Sequence, residues 1–227
     1  MTVHLQRQID KLKQVILSLG SQVETAVTHA IRAVENRDPG LARTVIEQDN
    51  EIDQVELDVE EECLHTLALH QPVAFDLRYV VAVLKINNDL ERIGDLAVNI
   101  AEQAVFLSRE SPVAAMPYDL PRMARHVRSM LKGSLDALVE VDAARAEGVR
   151  EEDDKVDEIH REMYERVEAA VRADPGQAPQ LIHLMNISRQ LERIADLTVN
   201  VAEDVIYMAR GEVLRHGGPR PGDGQGA

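Results

Sequence analysis

The sequence predicts an all-α protein of six long helices, arranged as two tandem, duplicated three-helix bundles with a disordered C-terminal tail. Three observations predict it: the make-up of the apolar residues, their spacing, and an internal repeat. Hydrophobic residues are 44% of the chain, yet aromatics are only 3% and Trp is absent. Pleated sheets draw on aromatic and β-branched residues, whereas Leu, Val, Ile, Ala and Met suit helix-on-helix packing. The 227 residues suffice for one large or two small cores.

Gly and Pro are sparse and divide the chain into long segments, with breaks at Asp38-Pro39-Gly40, His70-Gln71-Pro72, residues 111–121, Asp142 and Asp174-Pro175-Gly176. The predicted helices run over roughly 3–37, 40–70, 74–109, 118–141, 143–173 and 178–211. In the third, Val83, Ile86, Leu90, Ile93, Ala97, Ile100, Ala104 and Leu107 recur at steps of three and four. That is an apolar seam of the kind that packs helices in bundles. The sixth helix repeats it 101 residues later, as Leu184, Ile187, Leu191, Ile194, Thr198, Val201, Val205 and Met208.

The repeat exceeds what a seam requires. Residues 90–102 read LERIGDLAVNIAE and 191–203 read LERIADLTVNVAE, identical at ten of thirteen positions. The second and fifth helices correspond at an offset of 104, where EQDNEIDQVE (47–56) aligns with EEDDKVDEIH (151–160). The first and fourth share that offset through Val23, Val27, Ile31 and Val34 against Val127, Leu131, Leu135 and Leu138. The three-residue difference falls in the loop before the third helix of each half. Residues 1–110 and 117–212 are therefore expected to be two copies of one unit, with 213–227 too polar and Gly-rich to pack.

Charge narrows the function. The net charge is −15, which repels nucleic acid and anionic lipid. The longest apolar run, around residues 80–84, is too short to span a membrane, and the start has no apolar leader. A soluble, cytoplasmic protein is expected. The single cysteine, Cys63, follows Glu61 and Glu62, and reads as a buried structural thiol.

Glu91 and Asp95 lie four apart, so their side chains share one helix face about 6 Å apart along the axis. Glu192 and Asp196 repeat the pair, as do Asp49 with Asp53 and Asp153 with Asp157 on the neighbouring helices. Like charges at this spacing repel, and a divalent or trivalent cation relieves them. Oxygen-only ligation suits Mg, Mn, Fe or Zn. The same eight residues also read as a solvated acidic face neutralised by Arg92 and Arg193. Glu62-x-x-His65 is not repeated, its copies being Arg166 and Ala169, and Asp157-x-x-His160 is a second near miss. No serine and no Gly-rich phosphate loop is set up for catalysis, so no enzyme activity is expected.

These residues resemble the PhoU family of phosphate-transport accessory proteins. The resemblance rests on Gln71-Pro72-Val73-Ala74, Asp76-Leu77-Arg78 and Asp89-Leu90-Glu91-Arg92-Ile93-Gly94-Asp95, and on the second-half copy at 191–203 leading into Asp204-Val205-Ile206-Tyr207. It implies tandem three-helix bundles and a negative regulator of phosphate uptake and of the phosphate-starvation response. Such a protein works beside a phosphate ABC transporter and a membrane sensor histidine kinase. It also implies that Asp49, Asp53, Glu91 and Asp95 hold metal in the first half, and Asp153, Asp157, Glu192 and Asp196 in the second. A homodimer is expected from the long, flat surfaces. One departure stands out: the family's usual His after the motif aspartate is Leu96 here, and Leu197 in the copy. The apolar replacement is expected to favour packing against a partner. A metal-independent interaction scaffold and a carboxylate-bridged metalloenzyme are the alternative readings.

Overall fold

The computed structural model describes residues 3–211; the predicted disordered tail, 213–227, lies outside them. The chain forms α1 (Val3–Asn36), α2 (Pro39–His70), α3 (Ala74–Arg109), α4 (Leu120–Glu140), α5 (Ala143–Ala173) and α6 (Ala178–Arg210). A single 3₁₀ turn, Pro175–Gln177, precedes α6. No strand occurs among the described residues. The six helices and the tandem bundles match the sequence reading, with ends displaced by no more than a residue or two.

The duplication extends to the turns. Asp38 caps α2 by accepting from the backbone N–H of Gly40 and Leu41, and Pro39 opens the helix where its missing N–H costs nothing. Its copy Asp142 caps α5 by accepting from Ala144 and Arg145. The residue before each cap is left-handed, Arg37 and Val141 both at φ 52. The capping aspartates then donate their own N–H to Ala33 and Ala137, each at 2.9 Å. A left-handed non-glycine residue is costly, so two copies at matching positions mark a shared turn geometry. Arg37 also donates from its guanidinium to the carbonyls of Leu107 and Glu110, tying the first turn to the end of α3.

The third helix of each half is the central one. α3 packs on α1 and α2, α6 packs on α4 and α5, and α3 and α6 pack on each other. The seam is buried throughout, with Ile93 and Ile194 both at 0% exposure. One continuous core includes Leu12, Ile16 and Leu19 of α1 as well as Met123, Met130 and Leu131 of α4. α1 also meets α4 at Gly20, where an added Cβ would lie 2.6 Å from Leu135 Cδ2, too close for any larger residue without a shift. Cys63 is fully buried, and burial together with Glu62 and Glu60 pushes its thiol up to about 12, consistent with a structural role.

Polar contacts close the α3–α6 interface. Lys85 Nζ donates to Asp204 Oδ1 at 2.7 Å and lies 5.1 Å from the centroid of the Tyr207 ring. On the other side His183, one helical turn before Asn186, the repeat partner of Lys85, donates from Nδ1 to Gln103 Oε1 and stacks on Phe106 with centroids 3.7 Å apart. Gln103 and Phe106 are the repeat partners of Asp204 and Tyr207. Leu96 and Leu197 are 4% and 5% exposed. The expectation that they offer apolar surface to a partner is therefore corrected: both are buried inside the chain. Because α3 and α6 each pack against three helices, more than one stripe of each is covered.

Candidate functional site

The predicted acidic residues gather into two patches, one between α2 and α3 and one between α5 and α6. None of the eight is buried in the core. Asp49, Glu91, Asp153, Asp157 and Glu192 are half-buried, while Asp53, Asp95 and Asp196 are exposed. Helical spacing puts each pair on one face, and the packing of α2 on α3, and of α5 on α6, brings the pairs together. Gly94 marks the close approach in the first half, since a Cβ there would lie 3.3 Å from Ile52 Cγ2 and 3.8 Å from Asp49 Oδ1. Ala195 takes the related place in the second.

The pairs on neighbouring helices feel one another electrostatically. Burial raises the Asp49 carboxyl above its ordinary range, and Asp53 and Asp95 raise it further. Burial likewise raises Glu91, aided by Asp95, Glu56, Asp53 and Asp49. In the second half burial pushes Asp153 up to about 7, with Asp157, Asp196, Asp154 and Glu192 adding to it. Glu192 and Asp196 are raised by burial and by Asp157, partly offset by Arg193.

Among the described residues none of the eight carboxylates forms an ion pair. Arg92 turns to Asp89 at 3.7 Å, away from Glu91 and Asp95. The reading in which Arg92 and Arg193 neutralise their neighbours is thus corrected for Arg92, which forms an i,i+3 pair with Asp89, while Arg193 partly offsets Glu192 and Asp196 without an ion pair. Asp153 Oδ1 is buried with no hydrogen-bond partner. An orphaned, buried carboxylate oxygen amid four other acids fits a hard cation by its chemistry. The side chains do not close on one point, however. Among the described residues, no three Asp, Glu, His or Cys side chains stand together in position to hold a metal ion.

Sequence reasoning missed a fifth member of each patch. Asn87 Nδ2 donates to the Glu56 carbonyl at 3.0 Å and to Glu56 Oε1 at 3.1 Å, fixing Glu56 beside Asp53 and Glu91. The repeat partners of this pair are His160 and Ser188, hydrogen-bonded at 2.9 Å through Nδ1 and Oγ. His160, set aside as a near miss, therefore occupies the Glu56 place and lies beside Asp157, while burial lowers its imidazole. The signal was present in the alignment of 47–56 with 151–160, whose last position pairs Glu56 with His160. His65 is exposed on α2 and takes no part.

The raised Asp153 carboxyl sets a sign for stability against pH. A carboxyl whose folded pKa exceeds its unfolded value binds protons more readily when folded, so stability falls as pH rises from about 4 to about 7. Asp153→Asn should therefore raise stability at about pH 7.5 by on the order of 1 kcal/mol after solvent screening. Below about pH 4, where the wild-type carboxyl is protonated in both states, the gain should vanish. Urea titrations at the two pH values check this.

Fold and patches together define a duplicated helical scaffold with two solvent-facing acidic sites. The PhoU domain model matches the chain twice, over residues 16–104 and 120–205. The phosphate-specific transport system accessory protein PhoU homolog of Caulobacter vibrioides is 35% identical over 205 residues, 90% of this chain and 89% of that protein. The Aquifex aeolicus homolog of the same name is 36% identical over 211 residues, covering 92% and 95%. The crystal structure of PhoU from Pseudomonas aeruginosa superposes with a TM-score of 0.88 at 33% identity, covering 91% of this chain and 99% of that one. The chain belongs to the PhoU family.

Proposed function

We propose that this chain is a negative regulator of phosphate uptake and of the phosphate-starvation response. It acts as a cytoplasmic, homodimeric adaptor between a phosphate ABC transporter and a membrane sensor histidine kinase, and catalyses no reaction of its own. The names of its relatives, accessory proteins of phosphate-specific transport, support the coarse role. No helix among the described residues is long and apolar enough to cross a membrane.

One observation carries the role given to the acidic patches: among the described residues eight carboxylates at duplicated positions form no ion pair, and five of them are held above their ordinary range despite the partial offset from Arg189 and Arg193 in the second half. Asp49, Asp53, Glu91 and Asp95 would hold an ion of Fe, Zn, Mn or Mg in the first half, and Asp153, Asp157, Glu192 and Asp196 in the second. A cation there supplies the positive charge that lets so acidic a bundle attract phosphate or a partner's acidic group. A second reading, the metal-independent scaffold, is favoured by the absence of a preformed ligand set among the described residues.

Co-purification separates the two. Tagged protein from cells grown in high phosphate should retain transporter and kinase subunits, and lose them in EDTA or after phosphate starvation. Retention indifferent to EDTA supports the metal-independent scaffold. No retention under either phosphate condition overturns the adaptor itself.

A further inference from the structure

The two acidic patches part at one duplicated position, and the difference is chemical. The four carboxylates of the first patch are copied without change in the second, but Glu56 becomes His160. Each of these two is held by the helix packed against it, Glu56 by Asn87 of α3 and His160 by Ser188 of α6. Asn87 and Ser188 are repeat partners as well, and both are buried, at 1% and 0% exposure. The repeat is thus an internal control: one scaffold fixes an oxygen donor in one half and an imidazole in the other.

A chain of hydrogen bonds sets the imidazole. Ser188 Oγ lies 2.9 Å from His160 Nδ1 and 3.5 Å from Met123 Sδ, to which it donates. A hydroxyl has one proton, and with that proton on the sulfur only lone pairs face the ring. Nδ1 therefore carries the ring proton, and Nε2 keeps an unshared pair. Ligating imidazoles are set in this way, the far nitrogen donating to a fixed acceptor. Tyr164, one turn later on α5, meets the ring with centroids 5.2 Å apart and planes at 79°. Of the charges that reach the ring, Asp157 outweighs Arg189. In the same patch Asp153 Oδ1 is buried without a partner. The first half offers oxygens alone. Asn87 gives its Nδ2 to Glu56, and its own buried Oδ1 has no hydrogen-bond partner.

We propose that His160 Nε2 is a metal ligand of the second patch, and that the exchange of Glu56 for His160 gives the two halves different metals. The second half takes a borderline ion, Zn²⁺ or Fe²⁺, and the first a hard one, Mg²⁺ or Mn²⁺. Among the described residues no three side chains stand together as a ready ligand set. The carboxylates therefore adapt to the ion that arrives, and the donor already locked in place decides which ion is held. Imidazole suits Zn²⁺ and Fe²⁺, whereas carboxylate and carbonyl oxygens suit Mg²⁺ and Mn²⁺.

The inference rests on the metal-bearing reading of the patches, and its test keeps the two apart. Metal-free, full-length protein is titrated with Co²⁺, Zn²⁺ and Mn²⁺, each alone. With Co²⁺ bound, the wild type should show a strongly shifted, solvent-exchangeable imidazole N–H proton resonance, from Nδ1 of His160. His160→Gln and His160→Glu should lack it. Both should lose at least about tenfold in the tighter Zn²⁺ affinity, while Mn²⁺ affinity falls by no more than about threefold. His65→Gln, exposed on α2, should match the wild type throughout. Circular dichroism establishes that each variant folds. Should neither His160 variant fold, the wild type carries the test: Zn²⁺ should shift the Nε2 nitrogen resonance of one imidazole whose Nδ1 stays protonated, and no such shift overturns the inference. An unchanged proton resonance and Zn²⁺ affinity in the His160 variants, or an equal loss of Zn²⁺ and Mn²⁺, overturns the role of His160 and leaves the metal reading standing. A wild type that binds none of the three ions overturns both.

Discussion

Ile194→Ala is expected to lower the unfolding free energy by about 2–5 kcal/mol, and Ile93→Ala by a similar amount. Each side chain is wholly buried, at matching places in the two central helices. Removing three carbons there forfeits their transfer from water and leaves a cavity that long, mutually packed helices cannot collapse to fill. The location of the loss matters as much as its size. α3 and α6 share one continuous core, so a cavity in either should destabilise both halves together. Urea unfolding followed by circular dichroism should show a single transition in each variant, moved to lower urea with an unchanged slope. Two separated transitions, only one of them displaced, would mean that each half folds on its own core.

The fold was legible because its punctuation is sparse. Pro39, Pro72 and Pro175 and the capping aspartates bound helices whose apolar residues keep one period, so both ends and faces could be read. Less legible was what happens where helices meet. Leu96 and Leu197 look like surface positions beside a single seam, and are covered because α3 and α6 each touch three neighbours. Arg92 stands next to Glu91 in sequence, yet i,i+3 geometry sends it to Asp89. Glu56 and His160 escaped notice because the pairing of their helices, through Asn87 and Ser188, is what brings them into the patches. The turn residues Arg37 and Val141 carry no composition signal for a left-handed backbone, and only their duplication reveals it.

The acidic patches were legible as positions and not as geometry. Spacing alone places Glu91 above Asp95, but half-burial decides how strongly the pair resists carrying charge. The second patch resists more. Asp153 lies at about 7, has an orphaned oxygen and meets four other carboxylates. Asp49, its counterpart, is raised by burial with only Asp53 and Asp95 adding to it, and has no orphaned oxygen among the described residues. A cation should therefore relieve more repulsion between α5 and α6 than between α2 and α3, and the second half should hold metal more tightly.

Elemental analysis of protein purified without chelators tests the central claim most directly. The wild type should carry at least about one ion of Fe, Zn, Mn or Mg per half. The variant with Asp49, Asp53, Glu91, Asp95, Asp153, Asp157, Glu192 and Asp196 all changed to alanine should carry none while keeping its helical content. Negligible metal in both proteins, or equal metal in both, would contradict the account and leave the acidic patches as no more than solvated surface.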